Sequence, residues 1–211
     1  MSDSSRKTRQ IIRDALKWEG AWESSSLAEK LGITPMAVRK HLYAMQDEKL
    51  VTFSEESRPM GRPVKMWSLT PEAEKFYPDG HADLMVGMIE SVRSAFGEEG
   101  LKKLIDERGK DQLQIYREQL EGRQTLRGKL DCLARQRTEE GYMAEVQKEG
   151  GKYLLIENHC PICSAANSCQ RFCENELDIF QKSLGKDVKV VRREHIISGA
   201  RRCVYEVEAK G

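Results

Sequence analysis

The stretch "ENHCPICSAANSCQRFCENEL", residues 157–177, carries four of the chain's six cysteines: Cys160, Cys163, Cys169 and Cys173. A fifth, Cys203, follows in "GARRCVYEV". Cys160-Pro-Ile-Cys163 has the two-residue gap of a zinc knuckle, and Cys169 and Cys173 stand one helical turn apart. Four thiolates in that pattern can close a tetrahedral zinc site. They can equally hold an iron–sulfur cluster, [4Fe–4S] or [2Fe–2S], which also takes four ligands. A third reading, inert buried thiols, fits poorly with five cysteines in 44 residues. Cys132 lies apart from the others and is given no role.

The elements around these cysteines read as a small α/β module. "YMAEVQKEGGKYLLIENH" alternates, turns at Gly150–Gly151 and alternates again, which predicts a β-hairpin. A helix is expected from about Ala165 to Leu184, with Cys169, Cys173, Leu177, Phe180 and Leu184 on one buried face. "KDVKVVRREHIIS" and "RRCVYEVEA" predict a second hairpin, with Cys203, Tyr205 and Val207 on one side of its last strand.

The N-terminal seventy residues have a different purpose. "SRKTRQIIRDALKWEG" predicts an amphipathic helix through Ile11, Ile12, Ala15, Leu16 and Trp18, ended by Gly20. "SSSLAEKLG" predicts a short helix capped by serines, with Gly32 supplying the turn. "ITPMAVRKHLYAMQDEKLV" then opens with Thr34 as N-cap and Pro35 at the first helical position. Two short helices around a tight turn make a helix-turn-helix, whose second helix enters the major groove. Thr34, Met36, Arg39, Lys40 and His41 are its candidate base and phosphate contacts. "LVTFSEESRPMGRPVKMWSLT" reads as two strands around a turn-rich tip, with Arg58, Arg62 and Lys65 placed to lie along DNA phosphate. That order of elements describes a winged helix.

Between the two lies a glycine-punctuated helical region. Leu84, Met85, Met88, Ile89 and Val92 make one apolar stripe, and Leu101, Leu104 and Ile105 another. Such helices suit a homodimer, which sets two recognition helices at half-site spacing. The expected class is therefore α+β, in three parts. Residues 1–78 form a winged helix-turn-helix, 79–140 dimerising helices, and 141–211 a cysteine-bearing sensor domain.

Composition narrows the function classes. Residues 1–70 carry twelve Lys/Arg against nine Asp/Glu, and the remainder 23 against 25, so the modest positive excess sits at the DNA-binding end. No run approaches the ~18 apolar residues of a membrane span, and the polar N-terminus lacks a signal sequence's apolar region, so a cytoplasmic protein is expected. In a reducing compartment, clustered cysteines point to metal or redox chemistry rather than disulfides. A thiol oxidoreductase is disfavoured, because this CxxC lies between antiparallel hairpins and not at the start of a βαβ helix. No Gly-rich phosphate loop or nucleophile–base pair is recognisable. The chain reads as a regulator and not as an enzyme.

"GRPVKMWSLT" in the wing, "NHCPIC…C…C.NEL" and "GARRCVYEV" resemble the SufR-type repressors, iron–sulfur-sensing regulators of cluster-assembly genes. The resemblance implies a homodimer that binds a cluster in its C-terminal domain and operator DNA through the winged helix. It maps three ligand positions onto Cys160, Cys173 and Cys203. At the fourth this sequence departs, offering His195 where some members have cysteine, with Cys163 and Cys169 as extra thiols.

Overall fold

The computed structural model describes residues 3–59 and 61–210; Met60, at the tip of the expected wing, lies outside them. The protein is a mixed α+β chain with two small antiparallel sheets, divided into compact units Met1–Asp79 and Gly80–Gly211. No helix among the described residues is long and apolar enough to cross a membrane.

In the first unit, α1 (Asp3–Glu19), β1 (Trp22–Glu23), α2 (Ser24–Leu31) and α3 (Pro35–Asp47) precede β2 (Val51–Glu56) and β3 (Val64–Leu69). The sheet order is β1-β3-β2, and β2 pairs with β3 from Val51↔Leu69 to Glu56↔Val64. Ile12, Leu16, Leu27, Val38, Leu42, Met45 and Trp67 form one core. Thr34 caps α3 as expected: its Oγ1 accepts from Ala37 N–H at 3.2 Å, and Pro35 occupies the first turn. Gly32 ends α2 at φ 65°, a left-handed turn that glycine enters without a Cβ penalty. Two details differ from the sequence reading. The residue capping α2 is Glu23, with no side-chain hydrogen bond, and the three serines lie inside the first turn. Trp18 is 87% exposed, because Ile12, Ala15 and Leu16 already fill the inward face of α1.

In the second unit, α4 (His81–Leu120) and α5 (Leu126–Glu139) lead into β4 (Ala144–Glu149) and β5 (Lys152–Glu157). Two helices, α6 (Cys163–Ser168) and α7 (Arg171–Leu184), then precede β6 (Val188–Glu194) and β7 (Cys203–Ala209). Both hairpins form as expected and join into one sheet of order β4-β5-β7-β6. Gly150 and Gly151 both take positive φ at the first hairpin's turn.

Of the glycines along α4, only Gly97 leaves helical geometry (φ 69°, ψ 179°), so the helix is two arms, 81–96 and 98–120. Ile89 on the first arm packs in one group with Leu101 and Ile105 on the second. A straight helix would hold Ile89 and Ile105 ~24 Å apart, so the chain must bend at Gly97. The helices of 79–140 and the sheet of 141–211 belong to one unit. Tyr116, Leu130 and Leu133 share a core with Leu155, Phe180, Tyr205 and Val207. On the opposite sheet face Leu154, Ile156 and Val204 make a smaller apolar group.

Candidate functional site

Four cysteines arrive from four segments of the second unit. Cys160 sits in the turn after β5, Cys163 begins α6, Cys173 lies in the first turn of α7, and Cys203 begins β7. All the cysteines are free thiols; Cys173 and Cys203 are buried, while Cys160 and Cys163 are half-buried. Burial pushes the Cys160 thiol up to about 12, with the charges of Glu176, Cys163 and Cys173 adding to the shift. Burial likewise raises Cys173 to about 11, reinforced by Glu176, Cys203 and Cys163. Cys203 is raised by burial too, although the Ile196 N–H, 3.4 Å from its Sγ, acts the other way. Cys173 thus stands within electrostatic reach of the other three, and the Glu176 charge raises Cys160, Cys173 and Cys203 alike. Among the described residues, however, no three His, Cys, Asp or Glu side chains are placed to hold a single metal ion.

Cys169 stands elsewhere. The single helix expected from Ala165 to Leu184 is broken at Cys169, whose backbone is extended (φ −149°, ψ 104°). Cys169 therefore does not share a helix face with Cys173; its side chain packs with Ile89, Leu101 and Ile105. His195 caps the short 3-10 turn after β6. Its Nδ1 is 3.3 Å from Ser198 Oγ, while its buried Nε2 has no hydrogen-bond partner among the described residues. Burial, then the Arg192 charge, lowers its pKa, which leaves a neutral imidazole with a lone pair to offer.

Beneath the thiols lies a charge network that the sequence reading missed. Arg137 on α5 is fully buried and donates from Nε to Glu157 Oε1 at 2.6 Å, from Nη2 to Glu176 Oε1, and from Nη1 to Glu140 Oε2 at 3.1 Å. Its guanidinium also stacks over the Tyr142 ring, 3.3 Å from the centroid. Tyr116 donates to Glu140 at 2.7 Å, and Tyr205 donates to Glu176 at 2.5 Å. Arg137 thereby ties α5 to α4, β5 and α7. The signal for Glu176 was available: it stands three residues after Cys173, on the same helix face.

In the first unit the expected contact residues divide. Met36, Arg39, Lys40 and Tyr43 are exposed on α3, and spacings of three, four and seven put Met36, Arg39 and Tyr43 on one face. Tyr43 was not among the expected contacts. Lys65 on β3 stands beside it, with Nζ 3.4 Å from Tyr43 Oη and 3.7 Å from the Phe53 ring centroid. Thr34 is exposed, but its hydroxyl is engaged as the α3 cap. His41 turns towards α1, lining a hollow with Arg9, Lys40 and Glu48; burial, then Arg9 and Lys40, lower its pKa. Arg58 pairs with Glu23, and Arg62 is exposed between β2 and β3. Compared with protein-family models, curated proteins and solved structures, the chain matches none.

Proposed function

We propose that the chain is a transcriptional regulator, a repressor that binds operator DNA as a homodimer and whose affinity is set by an iron–sulfur cluster. In this reading the first unit is a winged helix. Its α3 enters the major groove with Met36, Arg39 and Tyr43 leading, and the strands β2 and β3 form the wing. Arg62 and Lys65 contribute phosphate contacts, which make affinity fall with salt.

The observation that carries the reading is that Cys173 on α7 stands within electrostatic reach of Cys160 in a turn, Cys163 on α6 and Cys203 on β7. A single zinc ion needs its sulfurs ~2.3 Å from one point, close enough that any three would stand as a tight group. The described side chains hold no such group. This geometry assembles neither a zinc site nor a cluster site by itself; the cluster is preferred over the zinc alternative because the resemblance to SufR-type repressors gives Cys203, outside the Cys160–Cys173 segment, a ligand position. Cys160, Cys173 and Cys203 would be ligands, with Cys163 or His195 as the fourth. A bound cluster would supply a redox- and iron-responsive crosslink between β7 and the α6–α7 segment. The chain's own part is to keep Cys173 and Cys203 buried, donate the Ile196 N–H to Cys203, and set the Arg192 charge against Cys173 and Cys203.

The test begins with protein purified under nitrogen and a duplex selected from random DNA. Binding is measured by fluorescence anisotropy before and after iron is removed by a chelator. The reading requires operator affinity to fall by about tenfold or more on iron removal, a coupling of ~1.4 kcal/mol. Equal affinity in the two states would overturn it.

A further inference from the structure

The bend at Gly97 lays the two arms of α4 beside each other, and between them runs a groove of 530 Å³. Met85, Met88, Ile89 and Val92 line it from the first arm, and Leu104 and Ile105 from the second. Ile162 and Phe172 supply a third wall. Ser168 at the end of α6 fastens that wall to the first arm: its Oγ is 3.0 Å from Glu90 Oε1, and its carbonyl accepts from Arg93 at 3.3 Å. Met85, Met88 and Leu104 are each half or more exposed, so the groove is open to a ligand.

Its two ends differ in chemistry. Ile89 packs with Leu101 and Ile105, so the arms run back along each other from the bend. Val92 therefore lies towards the closed end. Met85 and Arg108, twelve residues before Gly97 and eleven after it, stand at the mouth. Met85 to Val92 spans ~10 Å of helix, all of it apolar on the groove side. The charged residues on the lining are Glu107 and Arg108. Glu107 is held by Lys110 at 2.6 Å, whereas the guanidinium of Arg108 meets only Gln112, at 3.4 Å, among the described residues. Arg108 and Ile162 also border an adjoining hollow that holds Asp111 and Glu140. There Glu140 is paired with Arg137, and Asp111 lies in the field of Lys110. Arg108 is thus the uncompensated charge at the mouth of an apolar trough.

A compact hydrocarbon would leave that cation unused, and a polar ligand would leave the trough wet. An amphiphile with a flexible chain and an anionic head satisfies both, since unbranched methionines adapt to a chain and a guanidinium grips a carboxylate through two parallel hydrogen bonds. The volume falls within the ~300–1,000 Å³ of small-molecule sites. We propose that the α4 groove binds a long-chain carboxylate, a free fatty acid anion, with its alkyl chain between the arms and its carboxylate on Arg108. The site goes beyond the regulator reading and needs no cluster, because its walls are α4 and the segment 162–172 alone.

Equilibrium dialysis of the full chain against dodecanoate, below its micelle concentration, tests the site. Dodecanol and dodecyltrimethylammonium carry the same chain with a neutral and a cationic head. Dodecanoate is expected to bind about tenfold or more tighter than either. Arg108→Ala should weaken dodecanoate by about tenfold and leave dodecanol almost unchanged. Met88→Asp, at an exposed lining position, should weaken dodecanoate and dodecanol alike by about tenfold or more. Far-UV circular dichroism checks that both variants are folded. A chain that takes up no dodecanoate overturns the site, and so does uptake indifferent to the head group. Folded Arg108→Ala or Met88→Asp binding dodecanoate like wild type overturns it as well. Uptake that appears only when the chain is diluted would mean that a second copy fills the groove, which is equally contrary.

Discussion

Nε of Arg137 stands 2.6 Å from Oε1 of Glu157, and both side chains are closed off from solvent. A buried guanidinium is tolerable only because carboxylates from three elements surround it, and stacking on Tyr142 adds to its packing. Removing it strands Glu157 as an unpaired buried acid and leaves the half-buried Glu176 with only Tyr205 and Arg192. Arg137→Ala should therefore cost about 3–5 kcal/mol of unfolding free energy, the range for breaking a buried pair from one side. Urea unfolding followed by circular dichroism measures this, and a loss under about 1 kcal/mol would show the network to be incidental.

Glu157 also gives the second unit a pH signature. Burial first, then the Glu176 charge, raises its pKa from 4.5 to about 7 despite the pull of Arg137. The folded chain thus holds that proton more tightly than the unfolded chain does. Its contribution to stability is complete below about pH 4.5 and is lost as pH rises through about 7. Against Glu157→Gln, which mimics the protonated acid, wild type should lose up to about 3 kcal/mol between pH 4.5 and 8. Parallel pH–stability curves for the two proteins would contradict this.

On DNA, the residues of α3 should separate by face. Arg39→Ala and Tyr43→Ala should each weaken binding to a selected duplex by about 1–3 kcal/mol. His41→Ala should change it little, because His41 faces the hollow beside Arg9. Anisotropy titrations at fixed salt decide between them. A large effect at His41 with none at Tyr43 would mean that a different helix face meets the DNA.

Much of this was legible in the residues. Thr34-Pro35 announced the start of α3, Gly150–Gly151 the first hairpin turn, and the alternation through Cys203, Tyr205 and Val207 the inward face of β7. Periodicity did less well where two patterns competed. Cys169 and Cys173 fit a helical spacing of four, yet the backbone extends at Cys169 and sends its side chain to the α4 cluster. Trp18 reads as core by type, but its position on α1 turns it outward. Arg137 looks like any charged helix residue; only tertiary packing reveals that Glu157 and Glu176 converge on it.

The thiols themselves should divide in the same way. Serine at Cys160, Cys173 or Cys203 should remove bound iron, whereas Cys169→Ser, whose side chain packs against α4, should retain it. Iron and acid-labile sulfide per chain, measured on protein isolated under nitrogen, put this to the test. Coloured wild type and Cys169→Ser holding iron and sulfide together, with Cys203→Ser colourless, is the expected result. A wild-type chain that is colourless and free of iron would contradict the reading of this protein as a cluster-governed regulator.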